Sequence, residues 1–368
     1  MATANEFDLV VLGSGGAGCA AALTGASMGL SVSLLEKASV LGGGTADSLG
    51  TIWIPNNRLA AAVGLADDFA TALTYARFVG GGQELPENLE AYVREAPRVL
   101  DALLALGVRL RLALGLPDYF YPAGPGSCAD GRRMVEPELI ARSALEPWSN
   151  SIRRSIHNVP GVAWSDSVGW GGFANRRNWP EAELAQRERQ GLLGCGEALI
   201  GQLVAPMLSR GVSIRVNAQT SGLVLERGHV TGVRLADGST VRARRGVVLA
   251  TGGYEGSPEL VRQFEGFPEW MNPFAPTNVG DALVFGTEIG ASVFRIGVNN
   301  SLFVGSPVPG QPEAFFSVGL RGLPMPGAIA VNARGERFCD ETQFQDVVVA
   351  LQQYDRHERR FENLPAFM

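Results

Sequence analysis

The stretch FDLVVLGSGGAGCAAALTGASMGLSVSLLE, Phe7 to Glu36, decides the fold. Phe7 to Leu12 is a short apolar run bounded by polar residues, which predicts a buried strand. GSGGAG, Gly13 to Gly18, follows it, and the next eleven residues, CAAALTGASMG, are rich in the small side chains of a helix packed closely on a sheet. Ser31 to Glu36 predicts a second strand. Strand, glycine turn, helix and strand within about 30 residues form the context that a dinucleotide fingerprint requires. Gly13 permits the tight turn, Gly15 lets a diphosphate approach bare main chain, and Gly18 allows helix and strand to touch. The helix N-terminus adds free N–H groups and the positive end of its dipole. Glu36 ends the second strand, where an acid takes the ribose hydroxyls.

Outward from this unit, the 368 residues have room for two domains or a little more. With 46% hydrophobic and 18% charged residues the chain is globular, which excludes a disordered or coiled-coil protein. Its 47 glycines follow no collagen period and imply many tight turns and close backbone approaches. A net charge of −6 argues against nucleic acid as the main partner. Cys19, Cys128, Cys195 and Cys339 are scattered and form no CxxC pair, and the histidines are His157, His229 and His357. Neither a disulfide framework nor a metal site is expected from such a set. MATANEF has no basic leader region, so a cytoplasmic location is expected. Val99 to Leu116, the longest apolar stretch, carries Asp101, Arg109 and Arg111 and is too charged to span a bilayer, which leaves peripheral membrane contact open. GASMG, Gly25 to Gly29, has the spacing of a hydrolase nucleophile elbow, but its helix precedes the serine and its strand follows, the reverse of what that elbow needs.

Three further segments bear on the coenzyme. Leu41 to Thr45 (LGGGT) places glycines just beyond the acidic strand end, which suits a flavin nucleotide lying against bare backbone. Arg215 to Gly253 predicts a β-meander, with strands at Leu223–Glu226, Val230–Leu235 and Thr240–Ala243 and a turn at Asp237 and Gly238. It delivers a separate apolar strand, Val247–Ala250, into Thr251, Gly252 and Gly253. Asn278 to Ala291 reads as a turn and a helix start, with Asp281 placed either to cap the helix or to meet a ligand hydroxyl. Thr71 to Gly115 reads as helical, from the apolar spacing of Leu89, Val93, Leu100, Leu103 and Leu104.

Together these residues resemble the FAD-dependent fumarate reductase and succinate dehydrogenase flavoprotein superfamily, and within it the 3-ketosteroid dehydrogenases. The carriers are VVLGSGGAG with Glu36 and Lys37, GGGTADSLGTIWIPNN (Gly42–Asn57), GCGEALIGQL (Gly194–Leu203), VVLATGGYE (Val247–Glu255), NVGDAL, and IAVNARGERFCDE (Ile329–Glu341). The resemblance implies an α/β fold: a Rossmann-like FAD-binding domain with a β-meander over residues 1–298, carrying a helical insertion at about 57–190, then an incomplete α+β cap domain over 299–368. It implies FAD contacts from Gly13, Ser14, Gly15, Gly16, Ala17, Gly18, Glu36, Lys37, Gly42, Gly43, Gly44, Thr45, Ser48, Gly50, Thr220, Ala250, Thr251, Gly252 and Asp281.

For activity, the resemblance implies hydride transfer between flavin N5 and a carbon–carbon bond next to a ketone, on a small apolar, steroid-like carbonyl substrate, with an electron acceptor that the sequence leaves open. PDYFYPAGPG (Pro117–Gly126) is similar to the tyrosine-bearing active-site loop of the steroid group; Tyr119 matches the loop tyrosine and Tyr121 is its rival. The steroid group commonly places its tyrosine base where this chain has Phe344, which cannot take or give a proton. Two alternatives stand: a reductase of activated alkenes, and an inactive fragment that only binds nucleotide. Family members are usually longer, so the resemblance also implies C-terminal truncation, with ENLPAFM (Glu362–Met368) as the start of an unpartnered cap strand.

Overall fold

The computed structural model describes residues 5–82, 84–266, 275–294, 305–308, 311–317, 327–342 and 344–367. The chain opens with β1 (Glu6–Leu12), α1 (Gly16–Ser27), β2 (Val32–Leu35), α2 (Gly43–Asp47) and β3 (Ile52–Trp53). Next come α3 (Arg58–Ala62), α4 (Phe69–Gly80), α5 (Pro86–Ala105), β4 (Leu110–Leu112), β5 (Met134–Pro137) and β6 (Ile140–Ala141). After α6 (Trp164–Gly169), α7 (Glu181–Arg189) and β7 (Leu192–Leu193), the long helix α8 (Cys195–Ser209) returns the chain to the first unit. β8 (Ser213–Arg215), β9 (Thr220–Glu226), β10 (His229–Leu235) and β11 (Thr240–Leu249) complete a six-stranded sheet in the order β8-β2-β1-β11-β10-β9.

The second half of β1, Leu9 to Leu12, is continuously apolar because it is covered on both faces, and Val10 and Val11 have no exposed surface. It runs parallel to β2, from Leu9 opposite Val32 to Leu12 opposite Leu35, and parallel to β11, ending with Leu12 opposite Leu249. The small residues of α1 let it lie almost on the strands. A Cβ on Gly18 would stand 1.9 Å from the Gly13 carbonyl oxygen, and one on Gly25 would stand 2.9 Å from Leu9 Cδ2. α8 packs behind α1, and Leu23, Ile200, Leu203, Val204 and Met207 share one dry core. At its start, a Cβ on Gly196 would stand 2.0 Å from the Thr45 carbonyl oxygen, so glycine lets α8 touch α2.

The segment between Asn57 and Gln190 is helical only in part: its β4 and β5 form a three-stranded antiparallel sheet with β3, which precedes it. The helix expected over Thr71–Gly115 is two helices and a strand. Gly81, in the left-handed region at φ +64°, closes α4, Pro86 opens α5, and Gly107 at φ +97° follows the end of α5. The leucine-rich tail then becomes β4, which pairs with β5. The meander begins later than expected, because Arg215 ends β8 on the opposite edge of the sheet, facing Leu35. Its last strand and the apolar strand that follows are one, β11. A bulge that sets Phe7 opposite Ala243 but Leu9 opposite Gly246 absorbs the interruption seen in the sequence.

Towards the C-terminus, α9 (Pro258–Glu265) and α10 (Asp281–Glu288) precede a hairpin of Gly305–Val308 with Gln311–Ser317 and the helix Phe344–Leu351. Phe344 opens that helix, and its side chain lies outside the described residues. Val347, Val348 and Leu351 pack with Ala330 and with Val261 of α9. The last apolar stretch is paired: Val331 and Phe367 exchange both main-chain hydrogen bonds at 2.9 Å. No helix among the described residues is long and apolar enough to cross a membrane.

Two predictions follow from the packing. Ile200→Ala removes a fully buried side chain and should cost about 2–5 kcal/mol in urea unfolding; a change under about 1 kcal/mol would mean α8 is not core. Glu341 is held by Arg337, which lowers its carboxyl from 4.5 to about 2, and it also accepts the Ala330 N–H at 2.8 Å. A depressed folded-state pKa stabilises the fold fully above the unfolded value and is lost as pH falls from about 4.5 towards 2. Glu341→Gln should therefore flatten the acid limb of the stability profile, and an unchanged limb would exclude this carboxylate.

Candidate cofactor and active site

The C-terminal ends of β1, β2 and β11 meet at one cleft of about 450 Å³. Its floor is main chain from Gly13, Ser14, Gly15, Gly16, Gly43, Gly44, Gly252 and Gly253. Gly13 sits at φ +96°, where an added Cβ would stand 2.3 Å from the Ala250 carbonyl oxygen, so two strand-end turns touch through backbone alone. Gly15 is the N-cap of α1, and Thr45 Oγ1 accepts the Gly16 N–H at 3.0 Å, joining the first glycine turn to the second. An elongated trough floored by bare backbone beside a helix N-terminus suits a dinucleotide diphosphate.

Glu36 is buried at the end of β2. Its Oε2 accepts the Ser14 N–H at 2.9 Å and the Ser14 hydroxyl at 2.6 Å, while Oε1 accepts the Ala38 N–H at 2.8 Å. The carboxylate thus clamps the glycine turn to the strand end and still lines the cleft. Asp281 does not cap α10. Gly280, in the left-handed region at φ +86°, is the N-cap, and the Asp281 carboxylate pairs instead with Lys37 Nζ. That ion pair fastens the far rim of the cleft to the end of β2. The third carboxylate on the lining, Glu255, accepts the Asn278 side-chain N–H at 2.6 Å.

Of the expected cofactor residues, Gly13, Ser14, Gly15, Gly16, Ala17, Glu36, Lys37, Gly43, Gly44, Thr45, Thr220, Ala250, Thr251, Gly252 and Asp281 line the cleft. Gly18, Gly42, Ser48 and Gly50 do not. Gly18 seats α1, and Gly42 gives its N–H to Ser14 Oγ at 2.9 Å. The Ser48 hydroxyl accepts the Gly50 N–H at 3.0 Å. Gly50, at φ +73°, makes room for the Cys195 carbonyl, from which a Cβ would stand 2.6 Å. The sequence reading missed Leu12, Leu35, Ala218, Leu249, Gly253, Glu255, Thr277, Asn278, Ala282 and Phe285. Gly253, Glu255 and Asn278 fall inside motifs already singled out, whereas nothing in the sequence marks Ala218.

Tyr119 and Tyr121 share the loop Pro117–Gly126, and neither lines this cleft. The Tyr119 hydroxyl hydrogen-bonds with the Thr51 side chain, directly after Gly50. Desolvation by the loop around it raises the phenol above the ordinary tyrosine value although about half of the residue stays exposed, and the Thr51 contact only partly offsets this. The loop is anchored by Asp118, which is buried and accepts the Trp53 indole N–H and the Cys128 N–H, both at 2.8 Å. Phe120 donates its N–H to the Tyr75 hydroxyl at 3.3 Å.

The sequence profile of the FAD binding domain family matches residues 8–365. The chain is 34% identical over 373 residues to the 4-oxocyclohexanecarboxylate 2-dehydrogenase of Sinomonas cyclohexanicum, covering 98% of this chain and 64% of that protein. It is 32% identical over 372 residues to a 3-oxosteroid 1-dehydrogenase of Mycobacterium tuberculosis, covering 92% of this chain and 63% of that one. The chain therefore spans a little under two thirds of the length of these curated relatives. Among solved structures, the 3-ketosteroid delta1-dehydrogenase of Sterolibacterium denitrificans in complex with 1,4-androstadiene-3,17-dione is similar to it with a TM-score of 0.83. That likeness holds at 28% identity and covers 98% of this chain and 68% of that one.

Gly15 offers a direct test of the cleft. Its φ of −67° suits any residue, and a Cβ there makes only ordinary contact, 3.5 Å from Thr45 Oγ1. Gly15→Leu should keep the far-ultraviolet dichroism of the parent and weaken FAD binding by at least about tenfold in flavin absorbance titrations. Unimpaired binding would place the coenzyme elsewhere.

Proposed function

The chain belongs to the FAD binding domain family, with FAD as its cofactor, and on that premise we propose that it dehydrogenates a cyclic ketone at the carbon–carbon bond beside the carbonyl. The observation that carries this reading is the likeness, over nearly the whole chain, to a ketosteroid dehydrogenase holding a steroid dione. The names of the two curated relatives agree with it: a 3-oxo ring dehydrogenated at position 1 and a 4-oxo ring at position 2 both lose hydrogens from the carbons α and β to a ring ketone.

The chemistry divides one difficult removal into a proton and a hydride. The α-hydrogen is acidified by the ketone and passes as a proton to a general base, while donors on the ketone oxygen stabilise the developing enolate. Bound FAD supplies the acceptor for the β-hydride. The chain's own part begins with the glycine floor, which holds the diphosphate on main-chain N–H groups and fixes the cofactor by its backbone. The Glu36–Ser14 and Lys37–Asp281 contacts keep the two rims of the trough in register.

Tyr119 enters this reading as a protonated group. A phenol held above its ordinary value stays protonated through the neutral range, so Tyr119 donates a hydrogen bond and is not itself the base. Its fixed contact with Thr51 keeps it close to the Gly42–Asn57 segment.

Anaerobic mixing of the FAD-loaded chain with a saturated 3-ketosteroid should bleach the flavin absorbance. Tyr119→Phe should slow the bleaching by about 100-fold while the resting flavin spectrum stays the same. A panel of saturated cyclic ketones that leaves the flavin oxidised, or reduced flavin that is reoxidised only by small unsaturated acids, would select alkene reduction instead.

A further inference from the structure

We propose that Arg133 is the positioning residue of the tyrosine loop, and that its planar fork sets the Tyr119–Thr51 contact by binding the elements on both sides of it. This rests on the reading of that loop as part of the active site. Arg133 has no exposed surface, and its partners Asp67 and Asp118 have side chains that are only 2% and 1% exposed. Nε and one terminal nitrogen hold Asp67 in a bidentate pair at 2.9 and 2.7 Å. The other terminal nitrogen donates to Asp118 Oδ2 at 3.1 Å and to the Gly126 carbonyl at 2.8 Å. Asp118 and Gly126 bracket Tyr119 and Tyr121, so both ends of the loop close on a single nitrogen.

The guanidinium also lies against β3, which begins directly after Thr51. Its central carbon lies 5.5 Å from the Trp53 ring centre and 5.9 Å from that of Tyr75. Trp53 stands two residues beyond Thr51 and gives its indole N–H to Asp118, while Asp67 also accepts the Asn56 N–H at 2.9 Å. One buried cation is therefore bonded to the loop bearing Tyr119 and stacked on the strand next to Thr51. Apolar residues would fill the same volume with no desolvation cost, so a buried ion cluster is a poor device for stability alone. Its directional bonds instead specify one loop geometry.

Lysine cannot reproduce a four-bond fork, so Arg133→Lys and Arg133→Met should behave alike. Asp118→Asn is the milder variant: it leaves the Arg133–Asp67 pair intact and frees the loop end. In the FAD-loaded full chain, all three should keep the flavin spectrum. Bleaching by saturating 3-ketosteroid should fall by about tenfold or more, with the half-saturating concentration changed less than about threefold. A second readout needs no turnover. The tyrosinate absorbance of Tyr119, isolated as the difference from a matching Tyr119→Phe background, should titrate at higher pH in Asp118→Asn and Arg133→Lys as the phenol loses the Thr51 contact that lowers its pKa.

Wild-type protein that no ketosteroid bleaches, together with a shifted Tyr119 titration in the variants, would sink the functional reading and leave the positioning role standing. Wild-type bleaching and wild-type titration in Asp118→Asn would overturn the proposal. So would full recovery in Arg133→Lys, because charge alone would then suffice, and so would a shifted titration with unchanged bleaching.

Discussion

The contact of α1 with the turn that ends β1 governs the rest of the molecule. A side chain at Gly18 would stand 1.9 Å from a carbonyl oxygen, and no rotamer relieves a clash made by Cβ itself. Only because that position is bare can α1 seat on the sheet with its N-terminus over the end of β1. α8 then packs behind α1, and its own bare Gly196 meets the Thr45 carbonyl, which carries the second glycine turn to the cleft. Two close backbone approaches thus stack in series, and the trough is the space they leave between turns.

The parts of this architecture that were legible in the sequence are those fixed by local sterics. Gly13, Gly15, Gly18 and Glu36 announce strand, turn, helix and acid because each meets a need within about 30 residues. Fifteen cleft residues were found in this way or by resemblance to a flavoprotein family, and the four that fell outside the lining prove to be packing glycines and a turn serine close behind it. What escaped were pairings between distant segments. Nothing near Arg215 says that it faces Leu35 on one edge of the sheet and does not start the meander on the other. Asp281 reads either as a cap or as a ligand contact, and its pairing with Lys37 stays hidden because that residue lies 244 residues away. Arg133 gave no signal at all, since an arginine directly after Arg132 shows its burial only when Asp67 and Asp118 are brought around it.

Charge is used differently in the two halves of the site. Around the cleft, each carboxylate on the lining is partly occupied by a protein donor, which orients it towards the trough: Glu36 by Ser14, Asp281 by Lys37, Glu255 by Asn278. Under the tyrosine loop the charges are sealed from solvent and face one another. The first arrangement faces a cleft that a ligand can enter, and the second is closed to solvent, which separates recognition from support.

The strand order also fixes a schedule for synthesis. β1 and β2 leave the ribosome first, yet β11, which closes the other side of β1, emerges some 230 residues later. At typical elongation rates of about 5–20 residues per second, the nascent N-terminal unit waits roughly 10–50 s with a strand edge and an apolar face uncovered. The first thirty residues thus state the architecture long before the chain can build it, and a holdase that shields the new strand would find its substrate here.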